Sequence, residues 1–335
     1  MTINIMGQEK KIGIALSGGG FRAAAFHLGV FKKLQSMGLL SKIDLLSCVS
    51  GGSIAGGFLA LNWNRPDVLD RLETYLRTKS IAVSSVLGGI LDPFHTRLDK
   101  LADSYDHHLY HSGKLDDLKN GPRIYFNSTN LSTGNMFFFV SGGNKETEMG
   151  EWELGVVPAK QFPISKAVAA SSAFPPVFPP LRLDHDIYPS NEVEYITLAD
   201  GGVYDNLGVN PLMRKRNELD YVIVSDGGKP FDIIEEPTQA GTIVLKEAIS
   251  ILMEQVRGLQ FKRLELKFRA ENAPKPVWFS IDSKEGQAQP GDPEFASAIK
   301  TDLRKLNSAE MDVLTRHSGS LLEHRLNTYA PELLV

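Results

Sequence analysis

Twice near its start the chain runs a short apolar segment into consecutive glycines and resumes at once with helical spacing: "KIGIAL-SGGG-FRAAAF" from Lys11 and "IDLLSCV-SGGS-IAGGF" from Ile43. Each apolar run is too short for a buried helix and reads as a strand, whereas Phe21, Ala24, Ala25, Leu28, Phe31 and Leu34 repeat with the period of a helix. Gly38 stands where that helix needs a C-terminal cap. Two strand–turn–helix units in succession predict an α/β fold with a mostly parallel central sheet flanked by helices. Ligand sites on such sheets gather at the carboxyl ends of the strands, where both glycine turns lie.

The rest of the chain extends this pattern. Residues 64 to 121 change character, with charged helical patterns, a "VLGGILDPF" loop and "YDHHLYHSGKL", and read as a helical insertion. "RIYFNSTNL" and "NMFFFVSGG" read as strands paired around a Ser-Thr-Gly turn. "ISKAVAASSA" is helical until the prolines of "FPPVFPP" stop it. "EYITLADGG" and "YVIVSDGG" each read as a strand entering an Asp-Gly-Gly turn, and a helix is expected from Gly241 to about Arg269. A strand "VWFSI" and further helices follow, and the tail "APELLV" is expected to fray. No linker divides the chain, so residues 1 to 335 are expected to form one domain with its core at about 10 to 230 and C-terminal helices and a strand over 241 to 335.

Composition narrows the function classes. A net charge of -4 gives no whole-molecule attraction to nucleic acid. Cys48 is the only cysteine, which excludes an intramolecular disulfide and suits a reducing cytoplasm. The N-terminal apolar stretch is too short for a secretory leader, and no segment approaches the roughly 20 apolar residues of a membrane span, so contact with lipid is expected to be peripheral.

Consecutive glycines at Gly18, Gly19 and Gly20 can point several amides at one spot before a helix N-terminus, forming a nest for an anion. Gly18-x-Gly20-x-x-Ala23 also matches the looser dinucleotide fingerprint, but the second strand ends in "SCVSGGS" without the acidic residue that a ribose requires. That ending instead places Ser50 at a strand-to-helix turn, as in a nucleophile elbow, with Gly52 keeping the last glycine of G-x-S-x-G and Cys48 replacing the first. Ser53 is read as the N-cap of the next helix and Cys48 as a buried strand residue. Beyond residue 111 only His185, His317 and His324 remain, none at a strand end, so no Ser-His-Asp triad is visible. Asp200 leaves an apolar strand at a Gly-Gly turn, where a carboxylate could take the Ser50 proton directly. "HHLYH" (His107 to His111) has the residue type of a metal ligand but is read as a surface helix turn. No metal or cofactor is called for.

Together "SGGGFRA", "CVSGGS" and "ADGG", each after a strand and in that order, with "AVAASSAFPPVFPP" before the aspartate, resemble the patatin-like phospholipases. The resemblance implies their three-layer fold and a Ser-Asp dyad that cleaves carboxylic esters of phospholipids or lysophospholipids through an acyl-enzyme. Ser50 would be the nucleophile, Asp200 the base, and Gly18, Gly19 and Gly20 the oxyanion amides, with Arg22 steadying the substrate phosphate or the loop. It further implies a lipid substrate at a membrane surface and allows for an activating ligand or protein. "FPPVFPP", "MFFFV", the helical insertion and the basic stretch Arg257 to Arg269 are the candidate lipid contacts. The alternative left open is a catalytically silent or activator-dependent binding module on the same scaffold, motivated by Cys48.

Overall fold

The computed structural model describes residues 3–5, 7–81, 96–231, 233–270 and 273–334; "VLGGILDPF" lies outside them. A hairpin of β1 (Ile3–Ile5) and β2 (Gln8–Lys10) precedes the central sheet. In spatial order that sheet runs β12 (Lys275–Ser280), β11 (Tyr221–Asp226), β3 (Ile12–Leu16), β4 (Ile43–Cys48), β5 (Arg123–Asn130), β6 (Met136–Ser141), β7 (Glu148–Glu151) and β8 (Gly155–Pro158). Pairing is parallel from β12 to β5 and antiparallel from β5 to β8. The glycine turns therefore sit in the parallel half, at its carboxyl edge.

β5 pairs with two strands along one side. Its first half, Arg123 to Phe126, runs beside β4, which stops at Cys48. Its second half runs antiparallel to β10 (Tyr195–Asp200), with Asp200 opposite Ser128, and β9 (Leu181–Asp184) pairs beyond β10. β4 and β10 thus approach head to head along the same strand, and the residues leaving their ends are forced together.

Alternation along the strands feeds two cores. Ile14, Leu16, Phe137 and Phe139 enter one, under α1 (Gly20–Ser36), α2 (Gly51–Leu61) and α3 (Val68–Thr78). Ala15, Phe138, Val222 and Val224 enter the other. All of "MFFFV" is buried, so it is sheet interior and offers no lipid contact; five apolar residues in succession mark a strand covered on both faces. In the insertion, α4 (Arg97–Tyr105) leads into a one-turn π-helix, Asp106–Tyr110, which carries His107 and His108. α5 (Ile164–Ser171) ends ahead of the prolines, and Phe178 of "FPPVFPP" is buried against the core.

After β10 come the single turn α6 (Gly202–Asp205) and, beyond β11, the long α7 (Gly241–Phe268). α8 (Asp292–Ala298) and α9 (Ser308–Tyr329) complete the chain. A Cβ on Gly29 of α1 would stand 2.1 Å from Ser318 Oγ of α9, so glycine there is what lets the two helices touch. The tail does not fray as expected: Leu333 is buried and Glu332 accepts the Tyr221 hydroxyl at 2.8 Å. Docking on a strand supplies contacts that the local sequence does not announce.

Candidate active site

Ser50 occupies the turn between β4 and α2 with φ 50° and ψ -114°. A non-glycine residue pays strain for such a backbone, which persists only where its surroundings enforce it. They do so here by backbone contact. A Cβ on Gly51 would stand 2.2 Å from the Gly20 carbonyl, and one on Gly52 2.2 Å from that of Leu16. Cys48 is fully buried, and burial pushes its thiol pKa above the ordinary value. A Cβ on Gly56, one turn into α2, would come within 2.5 Å of Cys48 Sγ. The glycine missing before the serine is thus matched by one facing it across the helix.

Ser53 is not the N-cap. α2 begins at Gly51 with Ser50 in the cap position, and the Ser53 hydroxyl meets Ser171 Oγ at 2.8 Å. Ser171, which sequence reasoning passed over, is the hub beneath the elbow: it accepts the Ser50 amide at 3.0 Å and donates to the Asn127 carbonyl at 2.7 Å. Asn127 donates to Ser47 Oγ and to the Cys48 carbonyl. These groups fill the gap on β5 between the ends of β4 and β10.

Across that gap stands Asp200, almost fully buried. Burial raises its pKa to about 7, against the Gly202 amide, which donates to Oδ1 at 2.7 Å, and the Ser50 hydroxyl, both of which favour the charged form. Tyr105 of the insertion is buried beside Ser172 and Asp200, and its phenol pKa is pushed up by burial and, to a lesser degree, by the Asp200 charge. Among the described residues no histidine hydrogen-bonds Ser50 or Asp200; His27, buried and lowered to about 4 chiefly by that burial, instead bridges Ser225 and the Ser17 carbonyl.

The glycine loop borders the same space. Gly19 (φ 139°) and Gly20 (φ 62°) hold conformations that L side chains avoid. Of the three amides expected to face an oxyanion, that of Gly18 is already committed, donating to the Asn206 carbonyl at 3.1 Å. No acceptor for the amides of Gly19 and Gly20 occurs among the described residues, and the Phe21 amide is taken by the Asp302 carbonyl. Gly18 serves closeness: a Cβ there would stand 2.3 Å from Asn206 Oδ1 and 3.3 Å from Ser50 Cβ. Asn206, also unmarked by sequence reasoning, reaches between Gly18 and Gly202, six residues after Asp200 in "DGGVYDN". Arg22 is buried and donates to the carbonyls of Gly227 and Ile299 and to Thr301 Oγ1. A Cβ on Gly19 would stand 3.0 Å from Arg22 Nη2, so the guanidinium lies against the glycine loop.

Strained serine, buried carboxylate and glycine amides so converge from the three turns whose order marked the sequence. The sequence model of the patatin-like phospholipase family matches residues 14–213. The chain belongs to the patatin-like phospholipases. Its fold is that of human GIVD cytosolic phospholipase A2, with a TM-score of 0.65, 14% identity, and coverage of 97% of this chain and 60% of that one. The same human protein in complex with methyl gamma-linolenyl fluorophosphonate aligns with a TM-score of 0.61, 15% identity and coverage of 97% and 58%. This patatin-like chain spans about 60% of the length of that structure. No curated protein matches it. No helix of the described residues is long and apolar enough to cross a membrane. A surface pocket of about 470 Å³ between Phe162 and Arg182 is lined by none of Ser50, Asp200, Ser171, Asn127, Asn206 and the glycine-loop residues.

Proposed function

We propose that this patatin-like protein is a serine lipid acyl hydrolase acting on carboxylic esters of phospholipids or lysophospholipids, with residues 1 to 335 folding as one catalytic unit. The observation that carries this reading is Ser50, held in a strained turn beside a buried carboxylate whose pKa is about 7. Ser50 Oγ attacks the ester carbonyl as Asp200 takes its proton. The amides of Gly19 and Gly20 hold the resulting oxyanion, each donor contributing about 3 kcal/mol in comparable acyl transfers. The tetrahedral intermediate collapses, the leaving alcohol or lysolipid recovers the proton from Asp200, and the acyl group stays on Ser50. Water then gives a proton to Asp200 as its oxygen attacks, and Ser50 departs with that proton. The room that Gly56 gives Cys48 supports an active elbow over a silent scaffold.

The test is intact-mass spectrometry after exposure to a fluorophosphonate, the reagent class present in the similar human structure. One adduct on wild type, absent from Ser50→Ala and strongly slowed in Asp200→Asn, is the expected result. Labelling of Ser50→Ala at the wild-type rate would remove Ser50 from the mechanism.

A further inference from the structure

Of the eighteen large apolar side chains left exposed among the described residues, ten fall between Phe231 and Leu266. Isolated exposed residues are ordinary, but a concentration in one stretch marks a contact surface. Most lie on α7. This helix rests on the body by one face: Gln260 and Leu264 are buried, the Phe261 ring lies 4.2 Å from that of Trp278, and Arg257 donates to Asp226 at 2.7 Å. Arg257, expected to meet lipid phosphate, is therefore an internal anchor.

On the opposite side Leu245, Leu252, Leu259 and Leu266 recur every seventh residue, all exposed. At 3.6 residues per turn they fall within about 60° of one another. Lys262 and Arg263 lie on the same half of the helix, whereas Glu247, Glu254 and Glu265 gather on a flank outside it, Glu254 pairing with Arg257 and Glu265 with Arg269. The basic end is extended by Lys215 and Arg216, both exposed, on the 3-10 turn Lys215–Asn217. Repulsion from Arg263 and Lys215 adds to burial in lowering the pKa of Lys267. Among the described residues no carboxylate pairs with Lys215, Arg216, Lys262 or Arg263; Arg263 donates to the neutral side chains of Asn210 and Gln260. The helix touches the site by its body-facing side and turns the ridge outward. Met253, next to Leu252, reaches Gly202, where an added Cβ would stand 2.7 Å from Met253 Cε and 3.0 Å from Asp200 Oδ1.

We propose that α7 lies in the plane of an anionic phospholipid bilayer, with its leucine ridge at the acyl boundary and Lys215, Lys262 and Arg263 on the lipid phosphates. An apolar face with basic residues and no acid is what such a surface attracts. The proposal rests on the lipid-hydrolase reading, for which it brings the chain onto the surface that holds its substrate. A second copy of the chain is the poorer occupant. The seven-residue repeat would suit a coiled coil, but self-pairing of this face leaves Lys262 and Arg263 without an acidic partner.

The experiment is co-sedimentation of the Ser50→Ala protein, which spares the lipid, with vesicles of phosphatidylcholine alone or with about one-third phosphatidylglycerol. Binding at least roughly tenfold tighter to the anionic vesicles is expected. Lys215→Glu with Lys262→Glu should remove that preference, and Leu252→Ser with Leu259→Ser should weaken binding to both vesicles by roughly tenfold. In the Ser50 background both pairs should keep wild-type hydrolysis of a soluble short-chain ester and wild-type fluorophosphonate labelling, so that lost docking is distinguished from a lost dyad. Failure of labelling and hydrolysis in wild type would defeat the hydrolase reading while vesicle binding remained measurable. Absence of binding by wild type, or equal binding by wild type and both pairs, overturns the proposal. So does light scattering that shows a dimer made monomeric by the leucine pair with vesicle binding unchanged.

Discussion

Asp200 and Asp226 end apolar strands with the same Asp-Gly-Gly sequence, are both buried, and both accept the amide two residues on, at 2.7 and 3.0 Å. Their partners across the turn differ. Asp226 faces the Arg257 guanidinium, whose pKa is lowered by burial but carried above its ordinary value by Asp226 and Glu254. Asp200 faces a hydroxyl and a phenol, no cation among the described residues compensates its burial, and its pKa rises to about 7. One turn thus presents a carboxylate paired with a cation or one whose pKa burial raises, and the opposing side chain decides which. The local motif specifies only that a carboxylate is presented.

The sharpest way to break this comparison is to neutralise each carboxylate. Asp200→Asn is expected to cut ester hydrolysis by roughly 10³-fold, since an amide accepts no proton from Ser50; steady-state kinetics on a soluble ester would show it. Asp226→Asn leaves the largely buried Arg257 with Glu254 as its remaining counter-charge and should cost about 2 kcal/mol of stability in denaturant unfolding, with Ser50 labelling retained in the folded fraction.

A pH series sharpens it further. As the proposed base, Asp200 must be ionised to take the Ser50 proton, so kcat/KM should rise with pH through about 7 and fall about tenfold for each unit below that. Stability runs the other way. A folded pKa raised from 3.8 to about 7 contributes stability that is fully present below the lower value and lost as pH rises through the higher. Asp200→Asn should therefore raise Tm relative to wild type at pH about 8 but not at about 4. The smallest effect is expected of Cys48→Ala, which empties the space facing Gly56 and should cost about 1 kcal/mol in thermal unfolding while leaving fluorophosphonate labelling in place.

What was legible in the sequence follows from the same contrast. The glycine turns, the elbow at Ser50, the strand before Asp200 and the extent of α1, β5 and β6 are properties of neighbouring residues, and neighbouring residues revealed them. Ser171, Asn127 and Asn206 were missed because their contacts arise only where β4 and β10 meet on β5, a register that no local pattern encodes. The same holds for the commitment of the Gly18 amide to Asn206, the inward turn of Arg257 and the docking of the C-terminal tail. "MFFFV" is apolar enough for a lipid contact or a core strand, and only pairing with β5 and β7 decided for the core.

Because Ser50 and Asp200 both leave strands that are registered on β5, that strand acts as a ruler for the pair. The segments strung between them, α3 and α4 on one side and β7 to β9 on the other, can lengthen, shorten or be exchanged without altering the spacing of the two side chains, so long as β5 keeps its length. Variation in what surrounds the site is thereby uncoupled from the geometry at its centre, and a lineage can remodel its surroundings while the ruler stays the same.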